Sequence, residues 1–235
     1  MSELPAHSGF SFLLLGFLLG VKHALDADHV VAVSTIATGN RSLKRSCAIG
    51  FCWGVGHTAV LLVAGLAVLG LHLAIPHDMA RLFEAGAGVM LIGLGLSVGW
   101  TLLRERLHVH AHTHDDGTSH LHVHAHRDGQ GHAHLHRFRL EYASLAVGMI
   151  HGLAGSAALL LLVLSTVRSL TEGMLYILMF GAGSIAGMVL LGAVLSVPFA
   201  VTSQRLVRTH LVLRALAGLA SVSLGGSMLY EFLSM

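Results

Sequence analysis

The run Lys22-His23-Ala24-Leu25-Asp26-Ala27-Asp28-His29 packs two imidazoles, two carboxylates and an ammonium into eight residues. Imidazole and carboxylate are common ligands of divalent first-row metals, so the chemistry suggested is metal binding. On a straight helix, at about 100° per residue, His23, Asp26 and His29 fall at roughly 0°, 300° and 240°, one drifting face. Asp28 falls at about 140°, nearly opposite His23. All four therefore meet one ion only if the helix unwinds locally. Otherwise Asp28 pairs with Lys22 or orients a ligating histidine from behind. Two further imidazoles belong to this candidate metal set. His57 closes the run Phe51-Cys52-Trp53-Gly54-Val55-Gly56-His57, and His151 sits in Gly148-Met149-Ile150-His151-Gly152-Leu153. A lone histidine in an apolar helix also serves as an interhelical hydrogen-bond partner. Cys47 and Cys52 read as small packing residues, and with so little sulfur nearby Cu(I) is a poor substrate.

The elements that carry these residues are apolar. The chain is 235 residues, 54% hydrophobic and only 11% charged, against roughly 25% in a soluble domain. That excludes a disordered protein, and two cysteines exclude a disulfide scaffold. Residues 4–21, 46–77, 85–103, 142–167, 173–204 and 215–230 contain no Asp, Glu, Lys or Arg. About 20 apolar residues cross a membrane core. The fold class expected is all-α, a polytopic membrane protein of six helices at about 9–38, 47–71, 82–103, 142–166, 174–200 and 210–233. The first, at some 45 Å, is longer than a bilayer core requires, so it tilts strongly or breaks at its polar patch. Each ionisable residue there costs at least ~2.5–3.5 kcal/mol on insertion scales, so the patch needs mutual pairing, water or a metal ion.

Eleven of the 14 Lys and Arg residues fall between helices 1 and 2, 3 and 4, and 5 and 6. The positive-inside rule places those loops in the cytoplasm and both termini outside, in the cytoplasmic membrane. No cleavable signal peptide is evident, so the first helix is expected to stay. The chain also resembles itself: Gly20-Val21-Lys22-His23-Ala24-Leu25 and Gly148-Met149-Ile150-His151-Gly152-Leu153 share a pattern 128 positions apart. Ala85-Gly86 with Gly93 matches Ala217-Gly218 with Gly225, 132 apart. A three-helix unit repeated once lies in opposite orientations. This predicts two inverted repeats, 1–103 and 142–235, around a midplane site, with a cytoplasmic loop at 104–141 between them.

That loop holds eleven of the 19 histidines, within 108–136, in a 12-residue repeat separated by Asp116-Gly117 and Asp128-Gly129 turn signals. Alternating histidines suggest extended chain, and such tracts bind metal by composition. The loop is expected to receive, buffer or sense metal, with a cytoplasmic metal chaperone as a partner there, and not to form the transport site. No nucleic-acid partner is implied.

His23, Asp28 and His29 fit H-x4-D-H, and the run resembles the signature of the NiCoT family of nickel/cobalt transporters. Gly56-His57-Thr58 is similar to that family's second motif. His151-Gly152-Leu153-Ala154-Gly155-Ser156-Ala157 is similar to the family's short, six-helix, urease-accessory (UreH-type) branch. The resemblance implies secondary transport of Ni²⁺ or Co²⁺, usually uptake. It makes His23, Asp28 and His29 the essential positions, Asp26 the companion acid and His57 the second-motif histidine. The reading is a transporter, not an enzyme, with metal as cargo and no cofactor. Efflux is the alternative. An intramembrane metalloenzyme or a membrane metal sensor are the rivals from other classes. H-E-x-x-H is absent, and a sensor does not account for acids inside a membrane helix.

Overall fold

The computed structural model describes residues 6–38, 42–71, 73, 76–106, 110–113, 119–122, 134–154, 167 and 169–234. Helix α1 is Ala6–His23 and α2 is Ala27–Ala37. Helix α3, Leu43–Gly65, runs on through a wider π turn, Leu66–Gly70. Then come α4 (His77–Arg106), strands β1 (His110–Thr113) and β2 (Ser119–His122), α5 (His134–Ala154), α6 (Leu170–Arg205) and α7 (Val207–Ser234).

Four helical stretches are long and apolar enough to cross a membrane: Leu43–Gly70, Asp78–Arg104, Leu170–Thr202 and Arg208–Ser234. Phe10–His23 and Ala27–Ala37 pass the same test together, bent by 54° at the break between them, as a broken span or a re-entrant loop does. These match four of the six expected spans, and five where the bent pair counts as one span. For the remaining one, expected at 142–166, α5 supplies the first half, and 155–166 lie outside the described residues. The chain is a multi-pass helical membrane protein. Its outer faces carry Val63, Leu190 and Leu219, all more than half exposed, as lipid-facing positions should be. Departing from a purely helical chain, β1 and β2 pair antiparallel within the histidine-rich loop.

The first span is broken rather than tilted as one rod. Leu25 N donates to Lys22 O and Asp26 N to His23 O, a tightened last turn that ends α1. Asp26 then takes an extended backbone (φ −63°, ψ 150°) as N-cap of α2. At the start of α2 the Asp28 carboxylate accepts from the His29 amide, and a helix's amide end stabilises a carboxylate.

Close helix approach sets the rest of the core, and the approaches come in matched pairs. A side chain at Gly20 would run into the Phe180 backbone, and one at Gly148 into that of Trp53. Gly183 lies against Phe17, and Gly56 against Leu145. Gly88 meets Gly225 and Gly95 meets Gly218 between α4 and α7. A side chain added at Gly86 or Gly93 would meet nothing within 4 Å, so α4 carries glycines on a packed face and on an open one. Hydroxyls tie the same helices together: Thr58 Oγ1 donates to Gly54 O and reaches Gly181 O, and Ser221 Oγ donates to Leu91 O. Trp53, Leu91, Val33, Ala24 and Met188 fill the space between.

Candidate metal centre

The break in the first span gathers the predicted residues. Asp26 Oδ2 lies 2.8 Å from His23 Nδ1, and Asp28 Oδ1 lies 2.9 Å from His29 Nδ1. An ionised carboxylate only accepts, so Nδ1 is the donor in each pair, and a neutral ring in that arrangement presents its lone pair at Nε2. Metal-ligating histidines are commonly held in this way. Asp28 Oδ1 also accepts from the His29 backbone amide, locking its position at the start of α2.

His57 from α3 and His151 from α5 complete the cluster. The His23 ring centroid is 4.7 Å from that of His29 and 5.1 Å from that of His57. His29 is 5.5 Å from His57 and 4.8 Å from His151. His151 Nε2 lies 3.3 Å from Asp28 Oδ2, without the alignment of a hydrogen bond. Two groups of potential ligand atoms result, each within 4.8 Å: His23, His29 and His57, and Asp28, His29 and His151.

His29, His57 and His151 are buried to 1% exposure or less. His23 Nε2, His29 Nε2 and both ring nitrogens of His57 and of His151 are buried with no hydrogen-bond partner. A buried polar atom without a partner costs about 1–3 kcal/mol, so four imidazoles converging in this state call for a ligand. The donor set, imidazole nitrogen with carboxylate oxygen, suits a divalent first-row ion.

All six predicted residues therefore meet, but in different positions. Asp26 is half exposed and touches the cluster only through His23. Asp28 faces His29 and His151, and Lys22 is exposed on the outside of the break. Sequence reasoning missed the aromatic walls. The Trp53 ring lies 5.3 Å from His151 and 6.3 Å from His29, and Phe180 lies 5.4 Å from His23. The available signal for Trp53 was its place one helical turn before His57, on the same face.

Comparison with known proteins settles the class. Residues 9–217 match the family model NicO, described as high-affinity nickel-transport protein. The chain belongs to the NicO family. It is 38% identical over 224 residues to the urease accessory protein UreH of Bacillus sp. (strain TB-90), covering 94% of this chain and 91% of that protein. Shorter matches reach the cobalt transport protein NhlF of Rhodococcus rhodochrous (38% over 56 residues, 23% of this chain and 16% of NhlF). The nickel transporter NixA of Staphylococcus aureus is 33% identical over 58 residues, 24% of this chain and 17% of NixA. No solved structure matches. What the NicO model describes is a transport protein, not an enzyme, and the several apolar helices of this chain agree with that.

Proposed function

We propose that this chain is a secondary transporter that carries Ni²⁺ or Co²⁺ across the cytoplasmic membrane into the cell. The observation that carries the reading is the convergence of unpartnered imidazole nitrogens from His23, His29 and His57 at a helix break, beside the Asp28 carboxylate. Broken membrane helices near the midplane are how many transporters bind an ion with backbone and side chains together. In this reading His23, His29 and His57 ligate, Asp28 and His151 complete the binding region, and Asp26 positions His23.

Two inverted three-helix repeats are part of the proposal. The support is the pairing of contacts: Gly20 with Phe180 and Gly148 with Trp53, Gly183 with Phe17 and Gly56 with Leu145. In each couple the two contacts are related by shifts of 127 or 128 positions. A rocking motion of one repeat against the other then opens the site to each side in turn, with both termini outside and the histidine-rich loop in the cytoplasm. The loop receives metal there and passes it to a cytoplasmic chaperone. Its ladder register supports a metal-receiving role, setting His110 opposite His122 and His112 opposite His120.

Flux of radioactive nickel and cobalt into proteoliposomes, with competing metals and a controlled pH gradient, tests substrate, direction and coupling together. His23→Ala and Asp28→Asn should each abolish flux while the protein still inserts. Retained flux in both removes the site from the mechanism. Faster loading of inside-out than right-side-out vesicles makes the protein an exporter.

A further inference from the structure

The outward face of α1 carries a charge that the described part of the chain does not pair. With Leu18 at zero, Leu14, Leu15 and Lys22 fall at roughly −40°, 60° and 40° around the helix, a stripe about 100° wide. All four are exposed, and so are Leu25, Asp26 and Ala27 just past the end of α1. Gly16 and Gly20 lie on the opposite side, at about 160° from Leu18. A side chain at either would meet Tyr176 or the Phe180 backbone of α6. The leucine stripe therefore points away from the bundle, with Lys22 inside it and the break as its lower end.

Lys22 is also deep. It follows Phe10, the start of the apolar stretch, by about 18 Å along α1, where a hydrocarbon core is about 30 Å thick. Whether the bent pair crosses the membrane or re-enters it, the break is the part farthest from the surfaces. An ammonium facing lipid there costs at least about 2.5–3.5 kcal/mol on insertion scales, and a lysine stem is too short to carry it to a surface. Among the described residues no carboxylate pairs with Lys22. Asp26 opens on the same face with its side chain 49% exposed, and His23 Nδ1 holds only its Oδ2.

We infer that this face is an interface with a second copy of the chain, in which Lys22 of each copy pairs with Asp26 of the other. Lipid tails offer the ammonium no partner. A second copy presents an acid and a base on one face, and a two-fold contact sets each against its opposite, so a single surface is complementary to itself. Leu15, Leu18, Lys22 and Leu25 recur at steps of three and four residues, the spacing of two helices crossing left-handedly at about 20°. One lysine inside such an apolar seam fixes its register and the number of copies. The leucines supply packing and the ion pairs supply specificity. Through Asp26, 2.8 Å from His23, each pair reaches the edge of the candidate metal centre. The interface itself does not depend on the transport reading, and its test reads oligomeric state, not flux.

Charge exchange between two differently tagged forms of the full chain is that test. In Lys22→Glu alone two acids would meet across the contact, and in Asp26→Lys alone two bases would meet. In a mixture of the two variants every acid again faces a base. The unsubstituted protein should be a dimer by native mass spectrometry and in nanodiscs. Each variant alone should raise the dimer dissociation constant at least tenfold, and the mixture should recover dimers that carry both tags. In membranes, a full chain with Cys47→Ser and Cys52→Ser should cross-link to itself through Leu18→Cys with a short bis-maleimide. Leu96→Cys on α4 and Leu219→Cys on α7, both at exposed positions, should not. A monomer at every concentration, dimers indifferent to both charge variants, or cross-linking through α4 or α7 in place of α1 overturns the interface. So does a monomer that retains an anionic phospholipid and loses it in Lys22→Glu, which makes lipid the occupant. Where a charge variant does not fold, the Leu18→Cys cross-link decides, since it keeps both charges. A monomer that still carries nickel overturns the interface alone and leaves the transport reading standing.

Discussion

His23 and His29 meet edge to face with ring centroids 4.7 Å apart, although six residues separate them. On an uninterrupted helix they would stand about 9 Å apart along the axis and about 120° apart around it. The 54° bend between α1 and α2 removes both separations, and the contact exists because the span is broken.

The two aspartates at that break should therefore differ in effect. Asp28→Asn removes a charge that holds His29 and faces His151, and nickel flux should fall to background. Asp26→Asn keeps a hydrogen-bonding group next to His23 at a half-exposed position. Loss of an outer carboxylate typically costs 10–100-fold in metal affinity, so flux at saturating metal should survive with a raised half-saturating concentration. Titrating both variants against nickel concentration in proteoliposomes gives the comparison, and equal loss at saturating nickel would show that Asp26 does more than position His23.

Acidification should weaken uptake. Histidine ligands bind metal only when deprotonated, so each ion bound competes with protons, and lower pH shifts the balance toward protons. Initial rates at fixed nickel should fall as external pH is lowered, with the loss partly recovered by raising nickel. A rate that is flat or rises on acidification would contradict ligation by these imidazoles.

The glycines make a contrasting pair for stability. Gly20→Val places a side chain against the Phe180 backbone, a part of the structure that cannot rotate away. Overpacking of this kind commonly costs 1–3 kcal/mol and more when backbone is met, so the unfolding temperature in detergent should drop and flux should go with it. Gly86→Ala meets open space, and a good helix former replaces a poor one, so stability should hold or rise by up to about 1 kcal/mol. Thermal unfolding followed by fluorescence of the purified variants checks both.

Deleting 108–136 should leave flux measurable, because the candidate centre lies entirely on α1, α2, α3 and α5. Metal retained per protein should fall instead, which elemental analysis after desalting reads directly. Complete loss of flux in a deletion variant that still inserts would place the loop in the translocation step.

Much was legible in the order of residues alone. Charge-free stretches show that the chain crosses a membrane, because an unpaired charge in hydrocarbon is costly wherever it lies in the fold. The acids and histidines at 22–29 mark the site for the same reason: such residues persist at membrane depth only where something compensates them. His57 and His151 could be nominated on that ground, being polar groups within apolar spans. Spacing alone left three roles for Asp28, because helical angles hold only while the helix continues. The tertiary structure ends α1 at His23 and restarts the helix at Ala27, which sets Asp28 against His29 and His151 and leaves Lys22 exposed. It also set His29 beside both His57 and His151, and Trp53 and Phe180 against the cluster. Those facts depend on how closely α3, α5 and α6 approach, which is set by which glycines face a neighbouring backbone. A glycine reads the same in sequence whether or not it faces a neighbouring helix, as packed Gly88 and Gly95 beside open Gly86 and Gly93 show, and packing alone tells the two apart.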